Sequence, residues 1–170
     1  WDNPAAKNAF IKAAEIAKNA GRKVALSLSD SFCVSRHRES FIKLVEDHID
    51  ILFANEDEIT TLYKTSSLNT ALEELKKKCD LAAITIGEKG SILISNGKEI
   101  KIDPFILGKA VDTTGAGDLY AGAFLKGYAD GLKPELSAKI GSICAGQIVT
   151  QLGSRSNTDL LNLINSHLEA

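Results

Sequence analysis

The residues best suited to chemistry form one stretch, DTTGAGD at residues 112–118, which opens a predicted helix. Glycine lets a backbone approach a ligand closely, and the N–H groups at a helix start lie at the positive end of the helix dipole. The pattern predicts an anion hole formed by Gly115, Ala116 and Gly117. Asp118 would repel a stored anion, but it suits a base that takes a proton from an attacking hydroxyl. An ordinary helix start, where Asp is also favoured, is the alternative.

Other phosphate-binding and nucleotide-binding patterns fail on spacing. The chain has Gly-Lys pairs at residues 97–98 and 108–109, and neither has the glycine five positions earlier that a Walker A loop requires. A dinucleotide motif starting at Gly115 would need glycine at the position of Tyr120. The glycine-rich stretch is therefore of another kind.

The spacing of apolar residues predicts helices that alternate with short strands. Residues 81–86 are continuously apolar, which is typical of a strand covered on both faces in a parallel sheet. This alternation predicts an α/β, Rossmann-like layered fold with a mostly parallel sheet. The predicted helices cover residues 4–20, 38–47, 56–63, 69–79, 116–129 and 134–151, with a last one opening at Thr158. The predicted strands cover 24–28, 49–54 and 81–86, followed by a hairpin of 91–95 and 98–102. We expect the strand at 24–28 to be short and buried.

The overall composition is that of an ordinary globular protein. Hydrophobic residues make up 44% and charged residues 25%, and the net charge is −2. This balance excludes a disordered chain, and the lack of a basic excess argues against a nucleic-acid binder. No apolar window is long enough to span a membrane. The chain begins at Trp1 with no secretory signal and contains no methionine, so we expect it to be part of a longer protein.

The cysteines indicate a reducing compartment. Cys33, Cys79 and Cys144 are odd in number and lack the spacing of a zinc site or of a disulfide framework. We interpret them as reduced, small core residues. A cytoplasmic location follows as a prediction.

The DTTGAGD stretch resembles the second signature of the ribokinase-like (PfkB) carbohydrate and nucleoside kinases. The resemblance implies that Gly115, Ala116 and Gly117 form the anion hole of such a kinase and that Asp118 is its catalytic base. Phosphoryl transfer needs charge neutralisation, in-line positioning and a proton acceptor, which these residue types supply.

Two further motifs occur in the order of that family. NEDE at residues 55–58 resembles the NxxE motif, which implies that Asn55 and Glu58 help to hold Mg²⁺ and phosphates through water. A charged helix start is the alternative interpretation of NEDE. TIGEKG at residues 85–90 resembles the strand-end loop on which the nucleotide lies. The nucleotide-binding residues that this implies are Asn55, Thr85, Gly87, Glu88, Lys89, Gly90 and Gly117.

The resemblance extends through most of the chain. Residues 29–33 and 151–155 are most similar to bacterial adenosine-kinase-like members. A monovalent-cation site for K⁺ beside the anion hole is a further implication, with Asp112, Thr114 and Gly153 at the matching positions.

The implied activity is ATP-dependent phosphoryl transfer, with Mg²⁺, to an alcohol group of an adenosine-like or ribose-like sugar or nucleoside. Members of the family are much longer, and their N-terminal half supplies the first strands, most of the substrate pocket and a small β lid. We therefore interpret residues 1–170 as the C-terminal nucleotide-binding and catalytic part of a single ribokinase-like kinase domain, inactive when isolated.

Two other function classes stay open. One is a nucleotide-binding module without catalysis as isolated, and the other is a dinucleotide-binding oxidoreductase domain, which the failed glycine motif disfavours. As partners we predict a small sugar or nucleoside, and neither nucleic acid nor membrane. We expect the isolated chain to aggregate or to form a homodimer through an exposed sheet edge.

Overall fold

The computed structural model describes residues 1–168, and its strands form one five-stranded sheet in the order β1-β2-β3-β4-β5. The first two strands pair in parallel, with Ala25 opposite Ile51. The mixed α/β architecture with a mostly parallel sheet confirms the predicted fold class. The strands are β1 (Ala25–Ser27), β2 (Ile51–Asn55), β3 (Leu81–Thr85), β4 (Ser91–Ser95) and β5 (Lys98–Ile102).

The chain divides into two compact units. The first comprises Trp1–Ile84 with Ile94–Glu99, and the second comprises Thr85–Leu93 with the described residues from Ile100 onwards. The helices of the first unit are α1 (Pro4–Asn19), α2 (Ser31–Arg36), α3 (Arg38–His48), α4 (Glu56–Leu62) and α5 (Leu68–Lys76). The second unit contains a 3₁₀ turn (Gly87–Lys89) and the helices α6 (Ala116–Ala129), α7 (Pro134–Ile148) and α8 (Leu160–Leu168).

Helix α1 begins as its sequence predicts, but its apolar face is mostly not part of the core. The side chain of Asn3 accepts a hydrogen bond from the amide of Ala5, and Pro4 occupies the first turn. The apolar residues at helical spacing are Ala6, Phe10, Ala13, Ala14 and Ala17. Only Ala14 of these is buried, whereas Phe10 is 41% exposed.

The N-terminal residue is held by aromatic contacts within the first unit. The ring of Trp1 stacks on Phe41 at a centroid distance of 4.7 Å and meets Phe10 edge-on at 5.5 Å. Arg36 also donates a hydrogen bond to the carboxylate of Asp2 at 2.9 Å. Trp1 is thereby tied to helix α3.

Strand β1 is also more exposed than predicted. Only Leu26 of its three residues is buried, while Ala25 and Ser27 are exposed. The strand lies at one end of the sheet order and pairs only with β2. A strand at a sheet edge has unpaired backbone groups on one side, which is why the prediction of a buried strand fails here.

In the second unit, α6 and α7 approach closely because small residues lie between them. A Cβ atom on Gly141 would come within 3.0 Å of the carbonyl oxygen of Tyr120, and one on Gly127 within 3.1 Å of the hydroxyl of Ser137. The bounds of α6 are those predicted from its sequence. Helix α8 begins two residues later than predicted, after Asp159, whose carboxylate accepts hydrogen bonds from two amides of the first turn.

The predicted hairpin and the predicted free thiols are both present. Asn96 and Gly97 form the two-residue turn between β4 and β5, with φ angles of 50° and 74°. Cys79 and Cys144 are buried and Cys33 is half-buried, and all three are free. None of the helices formed by the described residues has the length and apolar character of a membrane span.

Candidate active site

A cavity of about 550 Å³ lies in the second unit. Its wall contains four residues of the 85–90 loop, Thr85, Gly87, Glu88 and Gly90, but not Lys89. It also contains Thr113, Ala116 and Gly117 of the predicted anion hole region. The remaining lining residues are Pro104, Phe105, Ile106, Gly108, Ala110, Tyr120, Ser142, Ala145, Gly146 and Val149. Two stretches selected from the sequence therefore border the same space.

The glycine turn, defined as residues 112–118, leads into α6 with an uncapped helix start. Gly115 is the N-cap residue, in a left-handed conformation with φ of 80°, and no side chain caps the helix. The amide of Ala116 donates a hydrogen bond of 3.2 Å to the carbonyl of Thr113. Because the first amides of a helix have no intrahelical acceptor, those of Gly117 and Asp118 are the donors best placed for an anion. Asp118 lies in the first turn and is exposed.

Gly115 rests directly on Ser154. A Cβ atom at position 115 would lie 2.7 Å from the Cβ and 3.1 Å from the Cα of Ser154. The left-handed backbone and the lack of space both require glycine at this position. The 151–158 loop, which carries Ser154, therefore packs directly against the predicted anion hole.

Asp112 joins the glycine turn to the 151–158 loop a second time. Its carboxylate accepts hydrogen bonds from the amide of Thr114 at 2.9 Å and from the amide of Gly153 at 3.0 Å. Hydrogen bonds from the Thr114 side chain and from these amides lower the pKa of Asp112 below its usual value. The structure thus brings together the three residues at which the resemblance implies a monovalent cation.

The 85–90 loop folds tightly against the end of β5, the second strand of the hairpin. The amide of Ile86 donates a hydrogen bond of 2.9 Å to the carbonyl of Gly90. Gly90 has a φ of 91°, and a Cβ atom there would lie 2.2 Å from the carbonyl oxygen of Ile102. Only glycine allows this approach, which brings the loop against Pro104 at the cavity wall.

Much of the cavity wall comes from residues that the sequence did not point to. Ser142 and Gly146 of α7 line the cavity together with the 104–110 segment. A Cβ atom on Gly146 would lie 1.9 Å from the carbonyl oxygen of Phe105, so the segment lies directly on the helix. The hydroxyl of Ser142 donates a hydrogen bond of 2.9 Å to the carbonyl of Asp103. The small residues that recur in α7 are the sequence feature that could have indicated this close packing.

Tyr120 lines this cavity and is held by a hydrogen bond to Ser91. Its hydroxyl and that of Ser91 are 2.8 Å apart, and both residues are buried. Burial raises the pKa of Tyr120 to about 12, so the phenol stays neutral and acts as a hydrogen-bonding group.

Asn55 and Glu58 lie together in the first unit, where they form a capping box at the start of α4. The amide of Glu58 donates to the side-chain oxygen of Asn55 at 2.8 Å. The carboxylate of Glu58 accepts from the backbone and side-chain amides of Asn55, each at 2.9 Å. Glu58 is 6% exposed. The predicted metal-binding pair therefore also has a structural role.

Oxygen ligands for a metal are present at this pair. Among the described residues, no three His, Cys, Asp or Glu side chains lie close enough together to hold a metal ion. The carboxylate of Glu58 and the side-chain amide oxygen of Asn55 are oxygen ligands of the kind that Mg²⁺ prefers in proteins. Since Mg²⁺ keeps several of its waters in proteins, the pair fits a water-mediated role.

Comparisons with known proteins agree with one family. The family model described as "pfkB family carbohydrate kinase" matches residues 2–160. Adenosine kinase from Sinorhizobium meliloti, for which a crystal structure is known, is 42% identical to this chain in sequence. The match covers 100% of this chain and 52% of that chain, with a TM-score of 0.92. A nucleoside kinase of Methanocaldococcus jannaschii is 30% identical over 132 residues, which cover 78% of this chain and 43% of that protein.

A third relative was solved with bound ligands. The structure of Arabidopsis thaliana ribokinase complexed with ribose and ATP is 25% identical, with a TM-score of 0.76 over 93% of this chain and 52% of that chain. The chain therefore spans about half the length of these relatives.

Proposed function

The chain belongs to the pfkB family of carbohydrate kinases, and from this premise we propose that it forms the nucleotide-binding and catalytic part of an ATP-dependent kinase. The acceptor that we propose is an alcohol group of a sugar or nucleoside, adenosine-like or ribose-like. The relatives named adenosine kinase, nucleoside kinase and ribokinase support this choice. We place the protein in the cytoplasm.

One observation carries the proposal. The 85–90 loop and the uncapped start of α6 border one cavity of about 550 Å³. Its other walls are mainly apolar or small residues, such as Phe105, Ile106 and Val149. A mostly apolar cleft with a few polar groups suits a nucleotide base, and an open helix start suits its phosphates.

The proposed reaction uses the residues of the glycine turn in two roles. The amides at the start of α6 hold the transferring phosphoryl group and stabilise the charge that develops on it. The carboxylate of Asp118 takes the proton from the attacking hydroxyl. The amide of Ala116 already donates a hydrogen bond to the carbonyl of Thr113. Ala116 therefore helps to fix the conformation of the turn and does not serve as a donor to the phosphoryl group.

We propose that two cations assist this chemistry. Asn55 and Glu58 would hold Mg²⁺ through water, and the ion would neutralise phosphate charge. Asp112, Thr114 and Gly153 would lie beside K⁺. The support for K⁺ is that the Asp112 carboxylate already holds Thr114 and Gly153 in one place.

Binding and transfer assays separate this proposal from its alternatives. Calorimetric titration of the full-length protein with ATP and with NAD distinguishes a kinase from an oxidoreductase domain. Acceptor-dependent ADP production with ribose or adenosine then distinguishes an enzyme from a binding module. The isolated residues 1–170 are expected to bind ATP weakly and to produce no acceptor-dependent ADP, because an unpositioned hydroxyl forfeits about 7–11 kcal/mol of the barrier reduction. Preference for NAD over ATP would overturn the proposal.

Glu58→Gln tests the metal role separately from the capping role. We expect the variant to raise the Mg²⁺ concentration for half-maximal rate more than the KM for the acceptor, because a charge beside the hydrated ion is lost. It should also lower the free energy of unfolding by about 1 kcal/mol without Mg²⁺, since the capping box is weakened.

The matched control is Glu56→Gln, which removes a carboxylate from the same first turn of α4. It should leave the Mg²⁺ dependence unchanged. An unchanged Mg²⁺ dependence in Glu58→Gln, together with reduced stability, would assign Glu58 to capping alone.

A further inference from the structure

The 151–158 loop, against which the glycine turn packs, is held by a network of polar side chains centred on a buried glutamine. Gln147, near the end of α7, is only 5% exposed. Its side-chain amide donates hydrogen bonds to the Gln151 side chain at 3.1 Å and to the Thr158 hydroxyl at 2.9 Å. Its side-chain oxygen accepts from the Ser156 hydroxyl at 2.8 Å. We call Gln147, Gln151, Ser156 and Thr158 the glutamine network.

Gln151 continues the network into the loop backbone. Its side-chain oxygen accepts from the amide of Asn157 at 3.2 Å, and its side-chain nitrogen donates to the carbonyl of Arg155 at 2.6 Å. The two glutamines therefore tie the later half of the loop, from Arg155 to Thr158, to the end of α7. A buried amide with its donors and its acceptor satisfied holds its partners in one arrangement.

The earlier half of the same loop makes both contacts to the glycine turn. Gly153 donates its amide to Asp112, and Ser154 lies against Gly115. Apart from these contacts, residues 153–155 are exposed to solvent. Its position therefore depends on hydrogen bonds more than on apolar packing.

From these contacts we propose that Gln147 is a positioning residue for the reaction: through the 151–158 loop it fixes the backbone of Gly115–Asp118 in the conformation that receives the phosphoryl group. The proposal rests on the proposed function of the glycine turn. Preorganised donors stabilise a transition state because they need not reorganise when charge develops. Loss of the network should therefore lower kcat more than it raises the KM for ATP.

Two variants remove the network in different ways. Gln147→Leu deletes its three side-chain hydrogen bonds at similar volume, and Thr158→Val deletes one of them at an exposed position. The control is Ser137→Ala, which removes a buried hydroxyl from the other end of α7. If Gln147→Leu fails to fold, Thr158→Val alone decides the test.

The first readout is amide hydrogen exchange of the full-length protein, which does not depend on activity. We expect exchange in Gln147→Leu to rise about tenfold both in the 151–158 loop and in residues 113–118, and less in Thr158→Val. Ser137→Ala should leave both segments unchanged. A rise confined to the 151–158 loop would overturn the proposal, because the glycine turn would then hold its conformation unaided.

The second readout is steady-state kinetics with ATP and the acceptor. Gln147→Leu should lower kcat about tenfold or more, with the KM for ATP within about threefold of wild type. Faster exchange without any fall in kcat would overturn the positioning role. Failure of the proposed function is recognised separately, because the unsubstituted full-length protein would then produce no acceptor-dependent ADP.

Discussion

From the proposed function we expect Asp118→Asn in the full-length protein to bind ATP with nearly unchanged affinity and to lose phosphoryl transfer by at least about 10²–10⁴-fold. The amide keeps the shape of the side chain but takes up no proton from the acceptor hydroxyl. Asp118 lies in the first turn of α6, where its charge opposes the binding of an anion. Ground-state binding therefore has no need of this carboxylate. The measurements are kcat at saturating substrates and calorimetric ATP affinity.

The control for this experiment is Asp130→Asn. Asp130 is the C-cap residue of the same helix and pairs with Lys126, so the substitution removes an equal charge at the opposite end. Turnover of this control should stay within about twofold of wild type, as for most surface changes. An Asp118→Asn enzyme that keeps more than a tenth of its turnover would show that another group accepts the proton.

Gly115→Ala is expected to reduce kcat by about 10²-fold, comparable with the loss of one donor from an oxyanion hole. The new Cβ atom would lie 2.7 Å from Ser154, so either the 151–158 loop or the glycine turn must move. Because the contacted atoms include the Cα of Ser154, a change of side-chain rotamer cannot relieve the clash. Unfolding free energy should fall by more than the roughly 1–2 kcal/mol that a left-handed alanine costs.

Gly131→Ala isolates the contribution of backbone strain. Gly131 has a φ of 85°, close to that of Gly115, but a Cβ atom there meets no atom within 4 Å. Chemical denaturation should therefore show a smaller loss for Gly131→Ala, and its kcat should be unchanged. Adding Ser154→Gly to Gly115→Ala should recover part of the lost activity. Equal stability losses in the two alanine variants, with turnover retained, would contradict the close contact.

The elements that the sequence predicted well are those with strong local signals. Asn3 and Pro4 define the start of α1, and Asn96-Gly97 defines the hairpin turn. Helix α2 was missed because it has only six residues, although its N-cap, Asp30, accepts hydrogen bonds from two amides of the first turn. The exposure of α1 and β1 could not be predicted from local pattern, because burial depends on which elements cover a face.

The candidate site shows the same division. The glycine turn and the 85–90 loop are recognisable because their glycines and Asp118 follow one another closely along the chain. The α7 wall of the cavity depends on the carbonyl of Phe105 lying against Gly146, residues far apart in sequence. The support of Gly115 by Ser154 likewise exists only after folding. Such contacts leave only a weak signal in the sequence, because small residues recur in helices whether or not a backbone packs against them.

Trp1 is the single tryptophan of residues 1–170, and its position provides an intrinsic optical probe for unfolding measurements on this chain. Trp1 stacks on Phe41 in the first unit, whereas the glycine turn and the cavity belong to the second. Tryptophan fluorescence therefore reports on unfolding of the first unit, and far-ultraviolet circular dichroism reports on the helices of both. If the two units unfold cooperatively, the two signals give coincident transitions. If they unfold independently, Gly115→Ala shifts the dichroism transition and leaves the fluorescence transition in place.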